Sequence, residues 1–394
     1  MLALRLGRGA HPVVLLRRLL VAAASAGAGF LLLCTLGWAI DHPAGSVVRL
    51  LWCLIPLAAT VQFAVAVART DPGTRPRTGL SAVGLGPARL TVLAALSTGV
   101  ACALGSAVAL LVFLHLRGDL SGMPFDGEAA DLLAADRPLP LAAVLTLLAV
   151  VPVLATTATG LVLRPRARRT DAADAAPEPA ATSEPGAAPA PVPAPAGLPW
   201  GVALMAAGLA VETYASREAG GSALPLPGHF DGSPAGVLAG WSLTAIGLAL
   251  AGPGITHLCG RLLQALRPGA VRLLAGRTLM AEARRIGRPL GVMCAVLSGT
   301  FAAASLYGPG DERPFGPLTG LGAALVIGCT AATLLTAALE SRQARAATTE
   351  ALRRLGTPAT LLRTAAAVRT TMLLATFAPL TWAVAALAAI PLTA

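Results

Sequence analysis

Histidines, cysteines and carboxylates are the groups from which an active or metal site would be assembled, and in this sequence they are dispersed. The five histidines (His11, His42, His115, His229, His257) stand at the ends of apolar runs or in loops, with no HExxH or similar metal-ligating spacing. Of the six cysteines, Cys34, Cys53, Cys102, Cys294 and Cys329 lie inside apolar runs and Cys259 just beyond one, and no two have CxxC spacing. They read as small buried hydrophobes. The stretch Arg117 to Pro138 holds Asp119, Asp126, Glu128, Asp131 and Asp136, a solvated acidic loop with at most weak attraction for a cation. All 30 basic residues are arginine, so a Walker phosphate loop, which needs its lysine, is excluded. No GxSxG or EF-hand pattern occurs either. The chain is therefore expected to be no enzyme, to hold no cofactor or metal, and to leave any ATP hydrolysis to another chain.

The elements around these residues are set by hydropathy. The chain is 55% hydrophobic and 12% charged, with a mean hydropathy of +0.72, values that belong to a membrane protein. A helix needs about 20 apolar residues to cross the hydrocarbon core. Nine runs approach that length: Leu19 to Ile40, Val47 to Ala68, Leu90 to Leu116, Leu139 to Leu163, Leu198 to Thr213, Ala235 to Thr256, Pro289 to Tyr307, Pro317 to Leu339 and Thr370 to Leu392. The expected fold is an all-α polytopic helical bundle of about nine transmembrane helices. The run at 198–213 is short, leaving open whether it crosses or lies at an interface. No charge lies well inside an apolar run; Glu212, which comes closest, stands near a span end and is expected to reach the headgroups. That absence disfavours a proton-coupled transporter.

A net charge of +11 raises the question of nucleic acid, but the arginines cluster between spans without interleaved aromatic residues, so anionic lipid is the expected counter-charge. With the N-terminus inside, 25 of the 30 arginines fall on the cytoplasmic side, as expected for a multi-pass protein of a bacterial plasma membrane. Between Arg164 and Gly197 an arginine cluster runs into an Ala/Pro/Glu tract that cannot bury enough apolar surface to fold. It divides the chain into a first membrane half of four spans (1–163), a linker (164–197), an inserted hairpin (198–256) and a second half of three spans (257–394).

The two halves resemble each other. In the first, a span ending at Ala68 is followed by a basic loop and then Leu80-Ser-Ala-Val-Gly-Leu-Gly-Pro-Ala-Arg-Leu90; in the second, a span ending at Leu339 leads to Glu350-Ala-Leu-Arg-Arg-Leu-Gly-Thr-Pro-Ala-Thr360. Leu85-Gly86 matches Leu355-Gly356, and each half places one span before the pair. Residues 340–363 also read as an amphipathic helix broken at Gly356-Thr-Pro, suited to a membrane surface.

This pattern resembles the permease subunits of the FtsX-like/MacB family of ABC transporters, over residues 11–163 and 284–392. In that family a cytoplasmic Leu-Arg-x-Leu-Gly segment joins the second and third helices of a repeat; here the closer copy is Ala351-Leu-Arg-Arg-Leu-Gly-Thr-Pro-Ala-Thr-Leu361. The connections Asp41 to Ser46 and Gly308 to Gly316 lack the large external domain found in many members, and the second half stops after its third helix. The resemblance implies a separately encoded ABC ATPase as partner, a lipophilic or membrane-embedded substrate, and coupling segments at Leu85, Gly86, Arg89, Glu350, Leu352, Arg353, Arg354, Leu355 and Gly356. A non-transporting membrane scaffold or sensor derived from the same architecture accounts for the same residues.

Overall fold

A computed structural model describes residues 12–41, 46–70, 87–119, 127–130, 133, 135–164, 195–217, 235–265, 269–306 and 316–393. Eleven helices make up almost all of it, and there is no strand among the described residues. They are α1 (Pro12–Asp41), α2 (Ser46–Trp52), α3 (Leu54–Thr70), α4 (Pro87–Arg117), α5 (Leu141–Leu163), α6 (Gly197–Arg217), α7 (Ala235–Gln264), α8 (Ala270–Leu306), α9 (Pro317–Ala344), α10 (Ala346–Arg354) and α11 (Ala359–Thr393). Among the described residues eight helices are long and apolar enough to cross a membrane. One is Gly197–Ala215, which gives the short fifth run the length to span. The run expected at Pro289 to Tyr307 forms the C-terminal half of α8 and ends at a residue outside those described. The chain has the fold of an all-helical, polytopic membrane protein.

Two local departures from the expected elements have plain causes. Val47 to Ala68 is not one helix but two, α2 and α3, joined at Cys53, whose N–H turns back to the Leu50 carbonyl at 3.1 Å. Pro56 cannot donate to the carbonyl four residues earlier, on Trp52, and sits in the first turn of the new helix, where that donor is not needed. Conversely, residues 257–288, expected as a basic loop, are mostly helix: α7 runs on to Gln264, and α8 begins at Ala270 and continues through Pro289.

Packing forms two groups. In the first, α1, α3, α4 and α5 surround a core of Val21, Ala28, Phe63, Ala64, Cys102 and Val151. In the second, α7, α8 and α11 close over Leu248, Leu279, Cys294 and Phe377, with α6 laid along α7. Small residues bring α6, α7 and α8 to backbone contact, as helices in lipid pack without a hydrophobic drive between them. A Cβ built on Gly201 would sit 2.8 Å from Ala251 Cα, and one on Gly247 2.7 Å from Met205 N. The six cysteines are buried free thiols. Gly27 and Gly29 pack closely, a Cβ there meeting Leu325 at 3.2 Å and Ala109 at 3.1 Å, whereas one on Gly320 would have nothing within 4 Å.

The groups repeat one relation and share one element. α1 packs on α4 and α8 on α11, and in each pair a serine of the first helix donates to a backbone carbonyl of the other: Ser25 Oγ to Cys102 O at 2.8 Å, Ser298 Oγ to Thr381 O at 3.1 Å. Although α9 follows α8 in the chain, it packs on α3 and α1 as well as on α8. Its Cys329 belongs to the first core, 3.9 Å from Thr60 Oγ1.

Candidate functional site

Most of the residues singled out for partner coupling lie on one protruding element. α9 ends at Ala344, Arg345 forms the junction, and α10 carries Glu350, Leu352, Arg353 and Arg354. Leu355 follows at 83% exposure, and the chain turns at Gly356, whose φ of +86° is a left-handed conformation that favours glycine. The expected break at Gly356-Thr-Pro is therefore present, joined by a second break at Arg345. α10 buries none of its residues. Its Ala347, Ala351 and Leu355, four apart, form an open apolar stripe beside an exposed Arg354–Glu350 pair at 3.5 Å. Arg89, exposed in the first turn of α4, stands apart from this element, and Leu85 and Gly86 lie outside the described residues.

The root of α10 is held by a group that sequence reading missed. Glu282 of α8 is 7% exposed; its Oε1 lies 2.6 Å from Arg345 Nε, and its Oε2 lies 3.8 Å from Arg369 Nη1 of α11. Arg345 Nε also donates to the Ser341 carbonyl at 3.1 Å and Nη2 to Ser341 Oγ at 3.3 Å. Beside them Arg285 pairs with Glu340 at 3.9 Å. Burial pushes the Glu282 carboxyl above its ordinary value, opposed by the charges of Arg345, Arg369 and Arg285. One buried carboxylate thus ties three helices together at the foot of the protruding one. A signal existed: Glu282 is the sole acid among the seven arginines of residues 257–288.

Glu212 is a correction. Expected at the headgroups, it is 0% exposed, turned from α6 against α7, where Trp241 Nε1 donates to its Oε1 at 2.6 Å and its Oε2 has no partner. Gly240 opens the space: a Cβ there would lie 2.9 Å from the Glu212 Cβ. Arg117, also buried, pairs with Asp119 at 3.4 Å and donates from Nη2 to the carbonyls of Ala135 and Arg137. It ties down the edge of the acidic loop. Among the described residues no cluster of His, Cys, Asp or Glu is arranged to hold a metal.

Comparison with protein-family models, with characterised proteins and with solved structures gives no match. The class of protein, an all-helical polytopic membrane protein, rests on the fold itself.

Proposed function

We propose that the chain is the membrane-spanning permease subunit of an ABC transporter of the FtsX-like type, worked by a separately encoded ATPase. The observation that carries this reading is α10: a two-turn amphipathic helix outside the apolar spans, with an unburied stripe ending at Leu355 and a left-handed stop at Gly356. A large apolar side chain left 83% exposed at the tip of a rooted helix suits a partner's groove. The paired relations α1–α4 and α8–α11 support two related halves, and the arginine-rich end, with α10, faces the cytoplasm in this reading. The membrane is that of a bacterial cell. ATP binding closes the partner, α10 is displaced, and its root moves α8 and α11. With little mass outside the spans, the substrate class is lipophilic or membrane-embedded, such as a lipid, an antibiotic or a peptide.

The test is co-purification of the tagged chain from its native host in mild detergent, with mass spectrometry of what accompanies it. A stoichiometric ATP-binding subunit, lost in Leu355→Ser and in the pair Arg353→Glu, Arg354→Glu, is the result expected. Recovery without any such subunit, under conditions that keep a known transporter complex intact, replaces the permease reading with the scaffold or sensor.

A further inference from the structure

Arginines outnumber carboxylates in the ionic group around buried Glu282 at the foot of α10. Glu282 pairs with Arg345 and Arg369, Glu340 pairs with Arg285, and Arg342 stands in the last turn of α9, three residues before Arg345. Four cations therefore share two carboxylates. The Arg345 side chain is 25% exposed and that of Arg369 14%, so water relieves the charge of these two only in part, whereas Arg285, at 46%, and Arg342 are exposed. Like charges gathered in a poorly solvated place call for a counter-anion. Arg369 keeps most of its donors uncommitted: among the described residues its ion-pair partner is Glu282, at 3.8 Å, beyond hydrogen-bond range.

The height of the group says where the anion comes from. Arg369 immediately precedes the apolar run beginning at Thr370, Arg342 and Arg345 follow the run ending at Leu339, and Glu282 lies one helix stretch before Pro289. By these bounds Arg342, Arg345 and Arg369 stand at the ends of apolar runs, the level at which hydrocarbon gives way to headgroups in a spanning chain. Guanidinium groups match phosphate oxygens in planar, two-point geometry. We propose that Arg345 and Arg369, gathered by Glu282 between α8, α9 and α11, bind the phosphate of an anionic phospholipid together with Arg342 of the last turn of α9. The chemistry recognised is a phosphate oxyanion, supplied by the bilayer rather than from solution. A two-phosphate lipid would balance the surplus fully, and a one-phosphate lipid in part. The proposal does not depend on the permease reading, because it requires only that the helices cross a membrane.

The experiment uses the full chain in nanodiscs of phosphatidylcholine alone or doped with phosphatidylglycerol or cardiolipin, followed by detergent release and native mass spectrometry. One anionic lipid is expected to remain bound per chain, with phosphatidylcholine retained far less. Each arginine removed lowers retention about fivefold, so Arg342→Gln with Arg369→Gln loses about 25-fold. Arg353→Gln with Arg354→Gln, on exposed α10, retains the lipid. Arg342→Gln alone, at an exposed position, keeps the test valid if the double variant fails to fold. Equal retention of neutral and anionic lipid, or undiminished retention in Arg342→Gln, overturns the site. If inorganic phosphate raises the melting temperature in detergent as much as the anionic lipid does, the bilayer source is overturned.

Discussion

Arg345 Nε lies 2.6 Å from Glu282 Oε1, which fastens the junction between α9 and α10 to the side of α8. Arg345 is both the last cap of α9 and the first of α10. Any swing of α10 about this point strains the Glu282 pair before it reaches the spans.

Removing the carboxylate leaves two arginines facing each other with no counter-charge. Glu282→Ala is expected to destabilise the chain by about 3 kcal/mol, the low end for breaking a buried pair because Arg345 stays partly solvated. Glu282→Gln, which keeps a hydrogen-bond acceptor, should cost less. The check is the melting temperature in detergent, together with the swap Glu282→Arg, Arg345→Glu. A swap no better than the single changes would argue against a direct pair.

The pH dependence follows from the raised carboxyl of Glu282. A group that binds its proton more tightly folded than unfolded favours the folded state below its ordinary value of 4.5. That contribution is lost as pH rises through its raised folded value. Wild-type stability measured against Glu282→Gln should therefore fall across this window and be flat on either side. A difference that is flat throughout, or that rises with pH, contradicts it.

In the α6–α7 hairpin, Trp241→Phe keeps the ring and removes the hydrogen bond to Glu212. The carboxyl loses its recorded donor, at an expected cost of about 1–3 kcal/mol. Glu212→Leu removes the need for a partner and should cost less than Trp241→Phe. Chemical unfolding from mixed micelles compares the two, and the reverse order would mean that Glu212 contributes more than its single hydrogen bond to Trp241.

Glycines divide into two groups by what surrounds them. Gly201→Ala and Gly247→Ala drive a methyl into the facing backbone and should lose about 1–3 kcal/mol. Gly160→Ala and Gly328→Ala, with nothing within 4 Å, should be neutral or gain up to about 1 kcal/mol from helix propensity. Melting all four variants in one detergent tests the contrast.

Hydropathy made the spans legible because lipid leaves the backbone no other solution. Leu19 to Ile40 lies within α1, and Leu139 to Leu163 lies almost wholly within α5. The α10 stop was legible too, since Gly356 followed by Thr-Pro has few other uses. What escaped were facts of pairing. Glu282 looks like one acid in a basic stretch until Arg345 and Arg369, 63 and 87 residues on, come to it across two other helices. Glu212 looks like a span-end residue until Gly240 allows α7 to approach. Neither depends on local periodicity, so no window along the chain contains it.

The position of α9 bears on how the chain is made. Residues of the first half are synthesised and inserted well before Cys329 exists, yet Cys329 completes the core around Phe63 and Ala64. The newly inserted α1, α3, α4 and α5 must hold an unfinished flank, filled in the meantime by lipid, until a helix from beyond the linker displaces it. The first half produced alone would then be a target for membrane quality control. The two halves supplied as separate polypeptides should find each other through that vacancy. The order of translation and the order of assembly differ in this molecule, and α9 is the point at which they meet.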